Sequence, residues 1–523
     1  MFLLYFGLMF ILRNRAHFNS DEYDNFLGGM VVANGGEIYK DFMSQHTPML
    51  YYLCALLYLI GVRIVVVYRL MIYALLSAIW VAMFFRYGKA FGKIAMITYP
   101  ILYITLMYNA DIFSHCILSE QFQSQSLVVL LLEFLQYKRL KYLKVSSYIC
   151  ISFAVLFSFG TAFVSIYPIF IVGLGVFINE VFNLFKIGRF DKKQLSEDVR
   201  KTLFSGAKLV LLCLLPFATI IIIYAVKGNI GNAIYGIYTV NRVYYPKYGA
   251  ISSSIIASFF SPLRVILLSL KNTGSFHLNI SVTSVLLVSL YLFCKKDILK
   301  GMACIGFIYM CAMRATTGFH GMPFLAVGML FFALIVQTLF NIVINKMRHL
   351  LFSNKKANAV AIIMVLIILM PSIVSFESAI GNRELFFSKD EFKYKIAQGS
   401  VEEVITTVTD DNDKIYDATI TLLYIPSQRL PIKAPAIVCP WIYEAYHDMI
   451  FESMDEEKPK IIYLPDEFDV WGNKASVFAA DAYEWIRNRY KSFESICGIH
   501  GLYVINDYYQ EATNRWELYR KAS

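Results

Sequence analysis

Long apolar runs separated by short polar loops dominate the chain, and a helix needs roughly 20 apolar residues to cross bilayer hydrocarbon. By that measure spans are expected near residues 1–13, 68–85, 94–110, 118–136, 145–159, 161–180, 203–226, 278–294, 300–313, 322–345 and 358–376, about eleven in all. The run at 300–313 is short, and the pair around Gly160 reads also as one kinked helix, which would change the parity. Two more apolar stretches do not fit the alternation. "PMLYYLCALLYLIG" (48–61) is only fourteen residues long, and "SIIASFFSPLRVILLSL" (254–270) carries Pro262 and Arg264. Both are read as interfacial helices on the outer leaflet.

Loop charge sets the expected orientation. "RYGKAFGK" (86–93), "QYKRLKYLK" (136–144), the stretch from Lys186 to Lys201, "KKDILK" (295–300) and "KMRHLLFSNKK" (346–356) are rich in Lys and Arg and so are expected in the cytoplasm. The N-terminus is then cytoplasmic. Residues 14–67, 109–118, 227–277, 314–321 and everything after about 377 face outward. No small-residue cleavage site follows the first apolar run, which is read as a retained span.

After about residue 377 the pattern changes. "DKIYDA" (413–418), "KIIYLP" (460–465) and "GLYVIND" (501–507) read as short strands, and 441–456 and 475–491 as helices. This alternation predicts a small extracytoplasmic α/β domain. The expected division is 1–376 transmembrane and 377–523 extracytoplasmic. No Gly-rich phosphate loop and no internal repeat of the transporter kind occurs.

Composition agrees: 58% of residues are hydrophobic and 16% charged, with a mean hydropathy of +0.54. The chain is read as a mainly α, polytopic membrane protein. The net charge of +10 lies mostly in the short loops, where it reads as topology, so nucleic acid is not an expected partner. Most of the nine cysteines sit in apolar runs. Only Cys439 and Cys497 fall in the polar tail, as a disulfide or as free thiols.

Against this apolar background, carboxylates beside the membrane are costly unless hydrated, paired or used. "FNSDEYDNFLGGMVVANGGEIYKDFMSQHTP" (18–48) places Asp21, Glu22 and Asp24 just after the first span. Asp21 and Glu22 are catalytic candidates; Asp21 also reads as the N-cap of a surface helix, and the two roles are compatible. "NADIFSHCILSEQF" (109–122) offers Asp111, His115 and Glu120 at another outer mouth, with Glu120 a catalytic candidate or a helix-start acid. "RATTGFHGMPF" (314–324) adds Arg314 and His320, candidates for phosphate or a snorkelling Arg and a loop His. Arg63, Arg69, Arg242, Lys247 and Arg264 are further outer cations, and Tyr245 in "NRVYYPKYG" (241–249) could line a sugar site or join the aromatic belt. Carboxylates to deprotonate a hydroxyl, cations to hold a departing phosphate and greasy surroundings together match glycosyl transfer from a lipid-phosphate sugar.

The stretch "SDEYDNFLGGMVVANGGEIYKDFMSQHTPMLYYLCALLYLIG…YRLMIYALLSAIW" resembles the first outer loop of the GT-C glycosyltransferases. The likeness is to the bacterial branch related to protein O-mannosyltransferases and the lipid A aminoarabinose transferase. The matching positions are Asp21-Glu22, Gly36, Tyr39-Lys40-Asp41-Phe42, His46-Thr47-Pro48 and Arg69; "FHGMPF" resembles a later outer-loop motif. The resemblance implies a GT-C type fold and an inverting enzyme that moves a sugar from a polyprenyl-phosphate donor to a glycan, glycolipid or protein acceptor of the cell envelope. It makes Asp21 the best candidate for the base and matches Glu120 to the second outer-loop acid. Asp111, Arg69, Arg314, His320, His46, Tyr39 and Tyr245 are the substrate-binding candidates. Thr47-Pro48-Met49 stands where relatives carry Lys-Pro-Pro, so a basic partner for the lipid phosphate is missing and Arg314, Arg69 or His320 is expected to replace it. No cofactor is expected; a divalent metal on Asp41 and His46 is the weaker option. A polysaccharide or lipid-linked oligosaccharide transporter, or a polymerase of lipid-linked repeats, is the alternative function.

Overall fold

The structure of the protein is a computed structural model. It describes residues 1–13, 20–106, 116–188, 192–248, 259–264, 267, 276–313, 318–351, 359, 362–363, 399–420 and 423–522. The helices run α1 (Phe2–Arg13), α2 (Ser20–Ala33), α3 (Met49–Leu59), α4 (Val65–Phe91), α5 (Lys93–Leu106), α6 (Ser119–Gln136), α7 (Val145–Thr161), α8 (Ile166–Gly188) and α9 (Lys192–Val226). They continue with α10 (Phe276–Cys294), α11 (Ile298–Cys311), α12 (Met322–Leu351), α13 (Gly399–Val408), α14 (Pro440–Glu457), α15 (Ala480–Arg489) and α16 (Tyr509–Ala522).

The first ten expected spans fall on described helices, save that 107–110 of the third lie outside the described residues, as do 358–376 and the division near 377 apart from short helical pieces at 359 and 362–363. The segment around Gly160 is two helices: Ala162 is extended (φ −153) and a 3₁₀ turn, Phe163–Ser165, precedes α8. The expected interfacial stretch 48–61 forms α3, and of 254–270 the described residues 259–264 and 267 are helical. Among the described residues, four helices are long and apolar enough to cross a membrane unaided: Val65–Phe91, Phe163–Lys186, Gln194–Val226 and Met322–Lys346.

The chain divides into two compact units. The first comprises Met1–Arg15, Leu70–Ile220 and Ser254–Phe386. Here α12 packs against α5, α6 and α10, while α11 lies against α8 and α10. Large side chains such as Phe170, Phe177, Phe182 and Phe185 of α8 and Leu203, Phe204 and Leu211 of α9 are exposed. An apolar exterior of that extent belongs in lipid, and this is a membrane protein.

Carboxylates inside this unit are paired. Glu133 of α6 accepts from Arg86 Nε (2.6 Å) and the Tyr87 hydroxyl (2.7 Å). Glu180 of α8 accepts from Arg139 Nε (2.9 Å), the Leu140 amide (2.8 Å) and the Tyr137 hydroxyl, and Lys141 holds Asp198 at 2.7 Å. The basic loop 136–144 therefore clamps neighbouring helix ends, which satisfies charges that hydrocarbon would penalise.

The second unit comprises Ala16–Arg69, Ile221–Ser253 and Phe387–Ser523. Its sheet contains β1 (Lys414–Asp417), β2 (Leu430–Pro431), β3 (Ile461–Tyr463), β6 (Tyr490–Ser492) and β7 (Leu502–Ile505), with β4 (Asp469–Val470) and β5 (Asn473–Lys474) in a separate hairpin. The order is β2-β1-β3-β7-β6. β1 is parallel to both β2 and β3, and β7 antiparallel to β3 and β6. The helix expected over 475–491 is interrupted at Ala479 (φ −122, ψ 33) before α15.

The C-terminal α/β region shares its core with the two loops of this unit. Met43 and Val240 sit in the same buried cluster as Tyr416, Ala418, Ile432, Val438, Trp441 and Ile462. Residues 235–244 form a π-helix, a form common at functional sites, whose Tyr235 hydroxyl donates to the Ala445 carbonyl (2.7 Å). Cys439 and Cys497 are free thiols, so that sequence alternative resolves without a disulfide.

Candidate active site

Helix α2 carries the acidic cluster, and its burial follows from two glycines. A Cβ on Gly28 would come within 2.6 Å of Cδ1 of Tyr51, and one on Gly29 within 2.5 Å of Cβ of Cys54. Only glycine lets α2 lie this close to α3, and the segment 22–31 is buried as a result. The sequence pattern allowed a surface helix here. The observed element is a helix with its acid-bearing turn enclosed.

Helical geometry separates the acids by about 100° per residue. Glu22 points to α4: Arg69 Nε donates to Oε1 at 2.7 Å and Nη2 to Oε2 at 2.5 Å, with both side chains 0% exposed. This two-pronged pair fastens α2 to the start of α4. Asp21 is half-buried. Asp24, one turn along on the face of Asp21, is 3% exposed. Its Oδ2 accepts from the Tyr51 hydroxyl (2.6 Å) and lies 3.0 Å from Nδ1 of His46 and 3.4 Å from the Ser44 hydroxyl.

The turn that follows α2 is held with equal care. Tyr39 takes a positive φ of 65°, its amide donates to the Phe42 carbonyl (2.8 Å) and its hydroxyl to the His46 carbonyl (2.6 Å). Asp41 accepts from the Glu37 amide (2.9 Å) through Oδ2, so the Tyr-x-Asp-Phe signature is a turn lock that sets His46 beside Asp24. Glu37 in turn holds Lys227 (3.1 Å) and Asn229 (2.8 Å), and these two partners keep its carboxyl below the usual carboxylate range.

The C-terminal region reaches the same cluster. Cys439 precedes α14, and its thiol is pushed well above its ordinary range by burial, reinforced by the negative charges of Asp21 and Asp24. Tyr245 stacks edge-on against Trp441 at 4.9 Å between ring centres.

In the first unit, Glu120 opens α6 and lies 2.6 Å from Nδ1 of His320. The two line a small recess together with Gln123, Pro168, Met310 and Pro323. Asp111 and Arg314 lie outside the described residues.

The structure thus brings Glu22 to Arg69, His46 to Asp24, Tyr39 to the His46 carbonyl, and Glu120 to His320. Sequence reasoning counted Asp24 among the costly carboxylates but gave it no role, although its i+3 spacing from Asp21 signals a shared helix face. Asp41 and His46, the weaker metal option, have separate partners, and among the described residues no group of three or more His, Cys, Asp and Glu is arranged to hold a metal ion.

No protein-family model and no curated protein matches this sequence. Its structure matches that of ArnT from Cupriavidus metallidurans, determined bound to undecaprenyl phosphate, with a TM-score of 0.56 over 96% of each chain at 11% identity. The chain has the GT-C fold. A second similar structure is the archaeal oligosaccharyltransferase AglB from Archaeoglobus fulgidus, in complex with an inhibitory peptide and a dolichol-phosphate (TM-score 0.47, 12% identity, 88% of this chain and 68% of that one). At such identity the GT-C fold is what the likeness establishes, and the chemistry must come from the side chains.

Proposed function

We propose that this protein is a membrane glycosyltransferase that moves a sugar from a polyprenyl-phosphate donor to a cell-envelope acceptor at the outer face of the cytoplasmic membrane. The observation that carries the reading is the pair Asp21 and Asp24 on one face of α2, with Asp24 gripped by Tyr51 and His46 in a chain of GT-C fold. The neighbour's bound undecaprenyl phosphate supports the lipid class of donor.

In this proposal the acceptor hydroxyl attacks the anomeric carbon, forming a new C–O bond as the bond from that carbon to the phosphate oxygen breaks. Asp21 takes the hydroxyl proton, and polyprenyl phosphate leaves with the bonding pair. Attack opposite the leaving group inverts the anomeric centre. Asp24 positions His46 next to the reaction, and His46 supplies positive charge to the phosphate when protonated. It replaces the lysine that Thr47-Pro48-Met49 lacks, because Arg69 is engaged by Glu22. In the first unit, Glu120 orients His320, another proton-dependent cation suited to this class of ligand.

Purified protein incubated with a panel of polyprenyl-phosphate sugars tests this. One donor raises the unfolding temperature by mass action and is discharged when an acceptor is added. Stabilisation by none of them, with the protein folded, would overturn the proposal.

A further inference from the structure

The β4–β5 hairpin carries a costly feature. Its two-residue loop is Trp471-Gly472, with φ of 54° and 83°. Positive φ at both positions is the type I′ geometry, for which Asn-Gly is the favoured pair; a bulky residue at the first position is strained. Trp471 is nonetheless there, and its side chain is 62% exposed. Turn stability does not explain an indole at that point, and such outliers concentrate where a ligand is met.

Its surroundings say what kind of ligand. The indole lies on Trp441, ring centres 4.9 Å apart and planes 27° off parallel, so one face is covered and the other is turned outward. Trp441 is 5% exposed, edge-packed by Tyr245 and fixed by donation from Nε1 to Oε1 of Gln45 at 3.1 Å. Gln45 is the residue before His46, which touches Asp24. Lys247 and Glu444 form an ion pair alongside, on the elements that carry Tyr245 and Trp441. A rigid, electron-rich flat face with the exposed charges of Asp469 and Lys474 on the same hairpin fits a pyranose, whose C–H face lies on the ring while its hydroxyls reach polar groups. A membrane surface fits less well, because the flanking Asp469 and Lys474 are exposed charges.

We propose that Trp471, backed by Trp441 and Tyr245, is a glycan-binding platform that holds a saccharide chain as the acceptor. The role as acceptor rests on the transferase reading; the binding does not.

Full-length protein in lipid nanodiscs, titrated with maltohexaose, cellohexaose, chitohexaose and α-1,6-mannohexaose up to about 10 mM without any donor, separates the two. At least one hexasaccharide quenches tryptophan fluorescence, and Trp471→Asn weakens that binding at least about tenfold. Asn suits the positive φ, so the same variant keeps or raises the unfolding temperature, which shows that the loss is one of ligand contact. Binding by none of the four, equal binding by Trp471→Asn, or quenching of Trp471 by brominated lipid overturns the platform. Hexasaccharide binding with no sugar transfer once the polyprenyl-phosphate sugars are added would instead count against the transferase reading alone.

Discussion

Arg69 grips Glu22 with two hydrogen bonds, 2.7 and 2.5 Å long, in a place neither side chain shares with solvent. Removing one member of such a pair strands the other charge, a loss of about 3–5 kcal/mol. Arg69→Ala is expected to lower the unfolding temperature in detergent sharply, whereas Glu22→Gln with Arg69→Met recovers most of the loss. Equal stability of wild type and Arg69→Ala would show that the pair does not fasten α2.

Gly29 is the second support of α2. An added methyl meets the Cys54 backbone carbonyl carbon at 2.7 Å as well as its Cβ, so side-chain rotation alone cannot relieve it. Gly29→Ala is expected to destabilise by at least about 1–3 kcal/mol through overpacking, read as a drop in the unfolding temperature. Gly35 is the comparison: an added methyl there meets nothing within 4 Å, but the φ is +88°, so its Ala variant strains the backbone only.

The C-terminal region has its own pH dependence. His447 sits between Asp448 (Nδ1, 2.9 Å) and Asp481 (Nε2, 2.6 Å), and these bonds raise its pKa above the ordinary histidine value. A raised folded-state pKa gives stability that is complete below the unfolded value of about 6.5 and fades as pH rises through the folded value. The site is largely exposed, so the effect is modest. Unfolding temperatures of wild type and His447→Gln, measured from pH 5 to 9, are expected to differ most at the acid end and converge at the alkaline end. A constant gap would show that the ring works by packing.

Asp24 and His46 act on transfer through position. Asp24→Asn keeps an acceptor for Tyr51 but loses the charge beside His46, and is expected to lower kcat by about 10² or more. His46→Gln is expected to weaken lipid-donor binding about tenfold, near 1.4 kcal/mol, with a smaller effect on kcat. Steady-state kinetics with the donor identified by thermal stabilisation separates the two, and unchanged values for both would remove the cluster from the mechanism.

Much of the fold was legible because each apolar run must satisfy its own backbone, which in hydrocarbon leaves helices as the solution. The strands at 414–417, 461–463 and 502–505 were legible from their short β-rich runs. What the pattern hid depends on tertiary contact. Glu22 and Asp24 have the same charge and nearly the same place in the sequence, yet one locks to Arg69 and the other to Tyr51 and His46, and only the packing of α2 on α3 decides which. Trp471 was likewise invisible, since its meaning comes from a backbone angle and from Trp441, thirty residues earlier.

The most direct test of the central claim is the rate of sugar transfer by Asp21→Asn, measured in nanodiscs with the stabilising donor at saturation. Loss of a general base predicts a fall in kcat of about 10²–10⁴, with wild-type donor binding and unfolding temperature. Transfer at the wild-type rate by this folded, donor-bound variant would contradict the assignment.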